Sequence, residues 1–243
     1  MKAKDLLARI RGGLIVSCYA GPDYNAFFDS ECAMTALARS AAQGGAAAIR
    51  VNLKYVALLK SVVQIPVIGI EKIYKHGEMR ITPTLREVEA LVKSGADAIV
   101  IDATKRKRFD DLPLEKFIYE IKHRFEVPVF GDVSVYEEAI KAAQYGIDAV
   151  FTTLSGYTPY SPSFGRLGDV PPAEPDYELV KRLSAALSIP VIAEGRYNTP
   201  EKAAKALHYG AHAVVVGTAI TNPEKITALF CHALRTKRPR TEL

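Results

Sequence analysis

Arg50, Lys72, Asp102, Asp132, Thr153 and Glu194 are far apart in the chain, yet each follows one of two recurring phrases at a fixed offset. The first phrase is Gly-Ala-x-Ala plus an apolar run, at 45–49, 95–100, 146–151 (with Ile147 for the first Ala) and 210–216. The second is apolar-Pro-Val-apolar, at 65–68, 127–130 and 189–192. Counted from the Pro, Lys72 stands at +6 and both Asp132 and Glu194 at +4. Counted from the Gly, Arg50 stands at +5, and Asp102, Thr153 and Gly217 at +7. Strand side chains alternate sides, so equal parity from a shared landmark means a shared face. Burying unpaired charge is costly, so a ring of such groups reads as a site before it reads as packing. Lys72 and Glu194 fall on opposite sides of that ring. An amine and a carboxyl so placed suit a reaction that moves protons on two faces of one carbon.

The elements that must hold these groups follow from the same phrases. Each is short, β-branched and bounded by Gly or Pro, the pattern of a buried strand. With 14–18 as the opening strand the count reaches eight. Helix-length segments separate them, at 30–43, 55–63, 84–94, 114–125, 134–145, 176–187, 199–209 and 223–234. Thr82-Pro83-Thr84 and Thr199-Pro200-Glu201 are helix starts, and Gly44, Gly95, Gly146 and Gly210 suit left-handed helix ends. The expectation is an α/β fold, one (β/α)8 TIM barrel of the phosphate-binding type spanning 1–243, with a flexible basic tail at 236–243. The piece at 155–175, with five Pro and three Gly, is the longest irregular stretch and follows the sixth strand on the face where barrels keep their chemistry.

Composition narrows the functional classes. At 243 residues, 49% of them apolar, the chain suits one barrel with a full interior. No apolar run reaches membrane-spanning length and the first residues open an amphipathic segment, so a soluble cytoplasmic protein with no membrane partner is expected. Cys18, Cys32 and Cys231 are widely spaced and read as reduced, buried thiols. Much of the net charge of +5 comes from Lys105-Arg106-Lys107-Arg108 and the tail, with no aromatic interleaving and no nucleic-acid motif. These runs read as a solvated loop and a frayed end, and no nucleic-acid partner is expected. The five His lack ligand-like pairing, and no Rossmann or Walker glycine pattern occurs, so neither metal nor nucleotide cofactor is indicated. Gly195-Arg196 after the seventh strand and Gly217-Thr218 after the eighth are the expected phosphate cradle, where backbone N–H groups gather at a helix start.

From about Gly12 to Pro223 the chain resembles the N-acetylmannosamine-6-phosphate 2-epimerases of sialic acid breakdown. The segments that carry the likeness are Gly12-Gly13-Leu14-Ile15-Val16-Ser17-Cys18, Ala48-Ile49-Arg50-Val51-Asn52 and Ile68-Gly69-Ile70-Glu71-Lys72. Further along come Ile81-Thr82-Pro83-Thr84, Asp102-Ala103-Thr104 and Thr152-Thr153-Leu154-Ser155-Gly156-Tyr157-Thr158. The last are Ala193-Glu194-Gly195-Arg196 and the run from Val214 to Thr221. The resemblance implies epimerisation at C2 of a phosphorylated amino sugar without cofactor, with Lys72 as base, Glu194 as acid, and Arg50 and Asp132 in support; Thr153 joins them from the parity count. Two positions depart from the family pattern: Tyr19 stands where the family usually has Gln, and Asn222 where it usually has Arg. Both are expected at the substrate, and the second removes a positive charge near Glu194. They keep open the same chemistry on a different or unphosphorylated hexosamine, or a non-catalytic phosphosugar-binding barrel. A homodimer is the expected assembly, since barrel enzymes often pair through helices or loops.

Overall fold

The computed structural model describes residues 1–21, 24–162 and 174–236. In chain order its strands are β1 (Leu14–Ser17), β2 (Ala48–Asn52), β3 (Val67–Ile70), a hairpin of β4 (Lys72–Lys75) and β5 (Glu78–Ile81), then β6 (Ala98–Asp102), β7 (Val129–Asp132), β8 (Ala149–Phe151), β9 (Val191–Glu194) and β10 (Ala213–Val216). All but the hairpin are parallel and close into a barrel in the order β1-β10-β9-β8-β7-β6-β3-β2. This is the expected (β/α)8 barrel. In that ring β3 and β9 lie four places apart, directly across the mouth.

Parity sorts the side chains as the offsets demand. Ile15, Ala48, Ile68, Ile70, Ala98, Val100, Phe130, Ala149, Phe151, Ile192, Ala213 and Val215 form one buried cluster inside the barrel. The alternate positions, such as Val16, Ile49, Val67 and Ile99, pack outward against the helices. Phe130 and Phe151 stack with ring centroids 5.5 Å apart, just beneath the rung that carries Asp132 and Thr153. Truncating either to Ala would cost about 3–5 kcal/mol.

The helices are α1 (Ala3–Ile10), α2 (Glu31–Gln43), α3 (Leu53–Val62), α4 (Leu85–Lys93), α5 (Leu114–Arg124), α6 (Tyr136–Gln144), α7 (Tyr177–Ala186), α8 (Pro200–His208), α9 (Thr218–Thr221) and α10 (Pro223–Thr236). Their starts are chemical. Ser30, Asp176 and Thr199 each accept a hydrogen bond from a first-turn N–H, and Thr84 shares a capping box with Glu87. Gly95, Gly146 and Gly210 take left-handed φ as expected, but after α2 the left-handed residue is Gly45, not Gly44. Helix α1 lies across the amino-terminal end of the barrel, where Leu6 and Ile10 complete the interior cluster.

Several expectations need correction. Lys72 is not on β3 but opens the antiparallel hairpin after it, which alternating apolar periodicity could not reveal. Cys18 is buried as expected, whereas Cys32 and Cys231 are exposed, on the solvent sides of α2 and α10. The expected basic tail began at Thr236, which is instead the last residue of α10; residues 237–243 lie outside the described residues, as does 163–173 within the long loop. Among the described residues no helix is long and apolar enough to cross a membrane.

Candidate active site

Four inward residues at the carboxyl ends of their strands join into one polar rung. Arg50, from β2, donates from Nη2 to Asp132 Oδ2 at 2.8 Å and from Nη1 to Glu194 Oε1 at 3.2 Å. Thr153, just past β8, bridges the same two carboxyls, with its hydroxyl on Asp132 Oδ1 and 2.9 Å from Glu194 Oε2. A hydroxyl carries one proton, which it gives to one carboxylate or divides between the two. A proton on Asp132 would let that carboxyl donate to Thr153 and free the Thr153 hydroxyl for Glu194. Asp132 is fully buried, and loss of solvation pushes its carboxyl up to about 7 despite the opposing Arg50 charge. Burial works against the charge of Arg50, but Glu194 and Asp132 outweigh it and hold the guanidinium above its usual range.

Lys72 reaches the mouth from the opposite wall. Burial, with help from the Arg50 charge, lowers its amine to about 8, which makes the neutral form accessible near physiological pH. Its Nζ sits 3.9 Å from the centroid of the Tyr19 ring. Among the described residues it makes no ion pair.

The hairpin that carries Lys72 is strapped down by the basic run read from sequence as a solvated loop. Arg106 pairs with Asp102 at 2.5 Å and donates to the Met79 carbonyl; Arg108 donates to the Pro83 carbonyl and stacks on Phe117. Arg80, on β5, donates back to the Lys107 carbonyl at 3.2 Å. The side chains of Arg106 and Arg108 are only 13% and 8% exposed, so the solvated reading is wrong for these two. Asp102 is thereby committed to Arg106 and Thr104 and stands apart from the rung of Arg50, Asp132, Thr153 and Glu194.

Around these groups lies a cavity of about 550 Å³ lined by Ser17, Tyr19, Arg50, Lys72, Thr153, Glu194, Gly195, Arg196, Gly217 and Thr218, by Tyr157 from a segment that carries the resemblance, and by several side chains that the sequence reading did not single out. Those are Tyr24, Met79, Tyr197, Asn198, Lys225, Leu229 and Phe230. Only Lys225 had a signal in the sequence, as a cation one helical turn after Asn222. Arg196 has left-handed φ of 65°, and its guanidinium donates to the carbonyls of Ser155 and Glu174, tying together the two described ends of the long loop. Gly217 precedes α9, and a Cβ there would lie 3.3 Å from Ser17 Cβ. Thr218 shares a 2.6 Å hydrogen bond with the Tyr24 hydroxyl. Asn222 is 1% exposed, and its Oδ1 accepts from the Lys225 N–H at the start of α10, a helix-capping role behind the cavity wall. Among the described residues no three His, Cys, Asp or Glu gather at metal-ligand spacing.

The family model described as "Putative N-acetylmannosamine-6-phosphate epimerase" matches residues 34–236. The chain belongs to this family. Among relatives named "Putative N-acetylmannosamine-6-phosphate 2-epimerase", that of Caldanaerobacter subterraneus subsp. tengcongensis is 43% identical over 96% of each chain. The one from Clostridioides difficile is 42% identical over 94% of this chain and 99% of its own. Among solved structures, the N-acetylmannosamine-6-phosphate 2-epimerase from Clostridium perfringens is 41% identical, with a TM-score of 0.85 over 94% of this chain and 96% of that one. A thiamine phosphate pyrophosphorylase from Pyrococcus furiosus, 17% identical with a TM-score of 0.59, shares the fold alone.

Proposed function

We propose that this chain interconverts N-acetylmannosamine 6-phosphate and N-acetylglucosamine 6-phosphate by inverting C2, with no metal or redox cofactor. The observation that carries the reading is the rung in which Arg50 is clamped between Asp132 and Glu194, across the barrel from the wall that delivers Lys72. In the open-chain sugar, C2 adjoins the C1 aldehyde, so its C–H is acidified by enolate formation. Neutral Lys72 takes that proton and becomes an ammonium. The electron pair moves onto the C1 oxygen, where Arg50 offers positive charge. A proton held along Asp132–Thr153–Glu194 is then delivered by Glu194 to the other face of C2, and the C1 carbonyl re-forms. Lys72 is left protonated and the carboxyl row one proton short, the form that runs the reverse reaction.

The expected handle for the 6-phosphate is the pair of turns Gly195-Arg196 and Gly217-Thr218. Arg196 is committed to two carbonyls, so backbone N–H groups and the hydroxyl of Thr218 are the better candidates for direct contact. The chain is expected to act in the cytoplasm as a homodimer. The apolar side of α10 supports the pairing: Phe230 and Leu234 are 68% and 71% exposed, and Phe230 also lines the cavity. A second reading, the same chemistry on another or unphosphorylated hexosamine, is favoured by Tyr19 and by Asn222, which has left the cavity wall to cap α10.

Proton NMR of N-acetylmannosamine 6-phosphate in deuterated buffer tests the reading directly. Deuterium is expected at C2 of the product. Lys72→Ala and Glu194→Ala are each expected to keep the fold and lose turnover. Retained hydrogen at C2 through turnover, or brisk turnover by folded Lys72→Ala, would overturn the mechanism. Equal efficiency with the unphosphorylated sugar would favour the second reading.

A further inference from the structure

Tyr19 touches the proposed base rather than the outer cavity wall. Its backbone follows β1, its ring packs against the barrel-interior cluster, and that ring lies under Lys72 Nζ at 3.9 Å from its centroid. A second ring, Tyr24, stands 5.9 Å away at 52° and is a further neighbour of Tyr19. An ammonium over an aromatic face is attracted by the ring quadrupole, most strongly where water is excluded. The neutral amine gains little from the same face.

We propose that Tyr19 is a positioning residue for Lys72, whose ring seats the ammonium in the barrel mouth and keeps the protonated state populated against the cations around it. The proposal rests on the epimerase reading for its purpose. A reversible proton transfer needs Lys72 neutral in one direction and charged in the other, and several groups bias that balance. Arg50 on β2 and Lys225 on α10 oppose the charge, as does burial, while Glu194 on β9 and Asp132 on β7 favour it. Tyr19, on the loop after β1, adds a contribution selective for the charged form and fixes where the nitrogen sits.

The experiment titrates Lys72 without relying on turnover. Folded wild-type protein, Tyr19→Phe, Tyr19→Leu and Tyr19→Met are pulsed with acetic anhydride across pH 6–11, and acetylation of Lys72 is read by peptide mass spectrometry. Only the neutral amine reacts, so the midpoint reports its protonation. Leu and Met keep the site apolar without a quadrupole, and two such variants guard against one that fails to fold. The midpoint is expected to fall by about one pH unit in Leu and Met and to stay put in Phe, given the usual strength of a desolvated cation–π contact. The low-pH limb of C2 exchange is expected to move by the same amount. An unchanged or raised midpoint in Leu and Met overturns the proposal, and so does a Phe variant that shifts as they do. Absence of C2 exchange in wild type would strike the epimerase reading instead, leaving the labelling midpoints to judge Tyr19.

Discussion

Lys72, the proposed base, is a stability liability at neutral pH. Its amine is lowered from 10.5 to about 8, so below pH 8 the folded chain holds an ammonium that the unfolded chain would rather keep in water. The sign follows from proton counts. Between about pH 8 and 10.5 the unfolded state binds more protons, so stability rises with pH in that window and the penalty is full below it. Lys72→Met should therefore stabilise the fold at pH 7 by about 1–2 kcal/mol, allowing for partial solvent screening, while turnover is lost. Thermal unfolding at pH 7 and 10 checks this: a gain of a few degrees at pH 7 should shrink at pH 10. At this scale much of the site was legible in the sequence, because parity from Pro66, Pro128 and Pro190 or from Gly45 and Gly146 fixes which way a side chain points. What parity cannot tell is a residue's partner. Asp102 shares the parity of Thr153, yet its carboxylate is occupied by Arg106 four residues on, through a loop whose path no repeat encodes.

The β4–β5 hairpin is the element on which the site's precision depends, since the proposed base stands on its first residue. Two strands alone make a marginal unit. What steadies this pair is Arg80, Arg106 and Arg108, each donating to backbone carbonyls across the β5–β6 gap. Arg106→Ala should leave the rung of Arg50, Asp132, Thr153 and Glu194 intact but loosen Lys72. Turnover is expected to fall roughly tenfold or more, since a small misplacement of a reacting group is expensive, with little change in the affinity for the phosphosugar. Steady-state kinetics beside a melting curve separates this from simple unfolding, and an unaltered kcat would show the hairpin needs no strap. The hairpin and the strap escaped the sequence reading for one reason. Lys105-Arg106-Lys107-Arg108 looks solvated because its acceptors are main-chain oxygens at Met79 and Pro83, groups that composition does not count.

Across the whole molecule, the alternating phrases encode a closed ring, and the family relationship extends over nearly its full length. The ring does not account for α10, which packs on α9 and turns Phe230 and Leu234 outward beside the cavity. Apolar side chains of that size on a helix face suit a covering surface, and the proposed occupant is a second copy. Phe230→Asp should weaken self-association about tenfold or more by analytical ultracentrifugation; a wild-type monomer at all concentrations would dispose of the pairing. Amphipathic spacing made α10 readable as a helix, but periodicity is blind to which side of a helix meets its own barrel.

Helix α1 gives the barrel a stopper. With Leu6 and Ile10 packed into its base, the described residues close the interior at that end and open it at the rim where Lys72 and Glu194 stand. Reactant, epimer and the hydrons exchanged with solvent are then expected to share that threshold, so the two sugars compete for one vestibule.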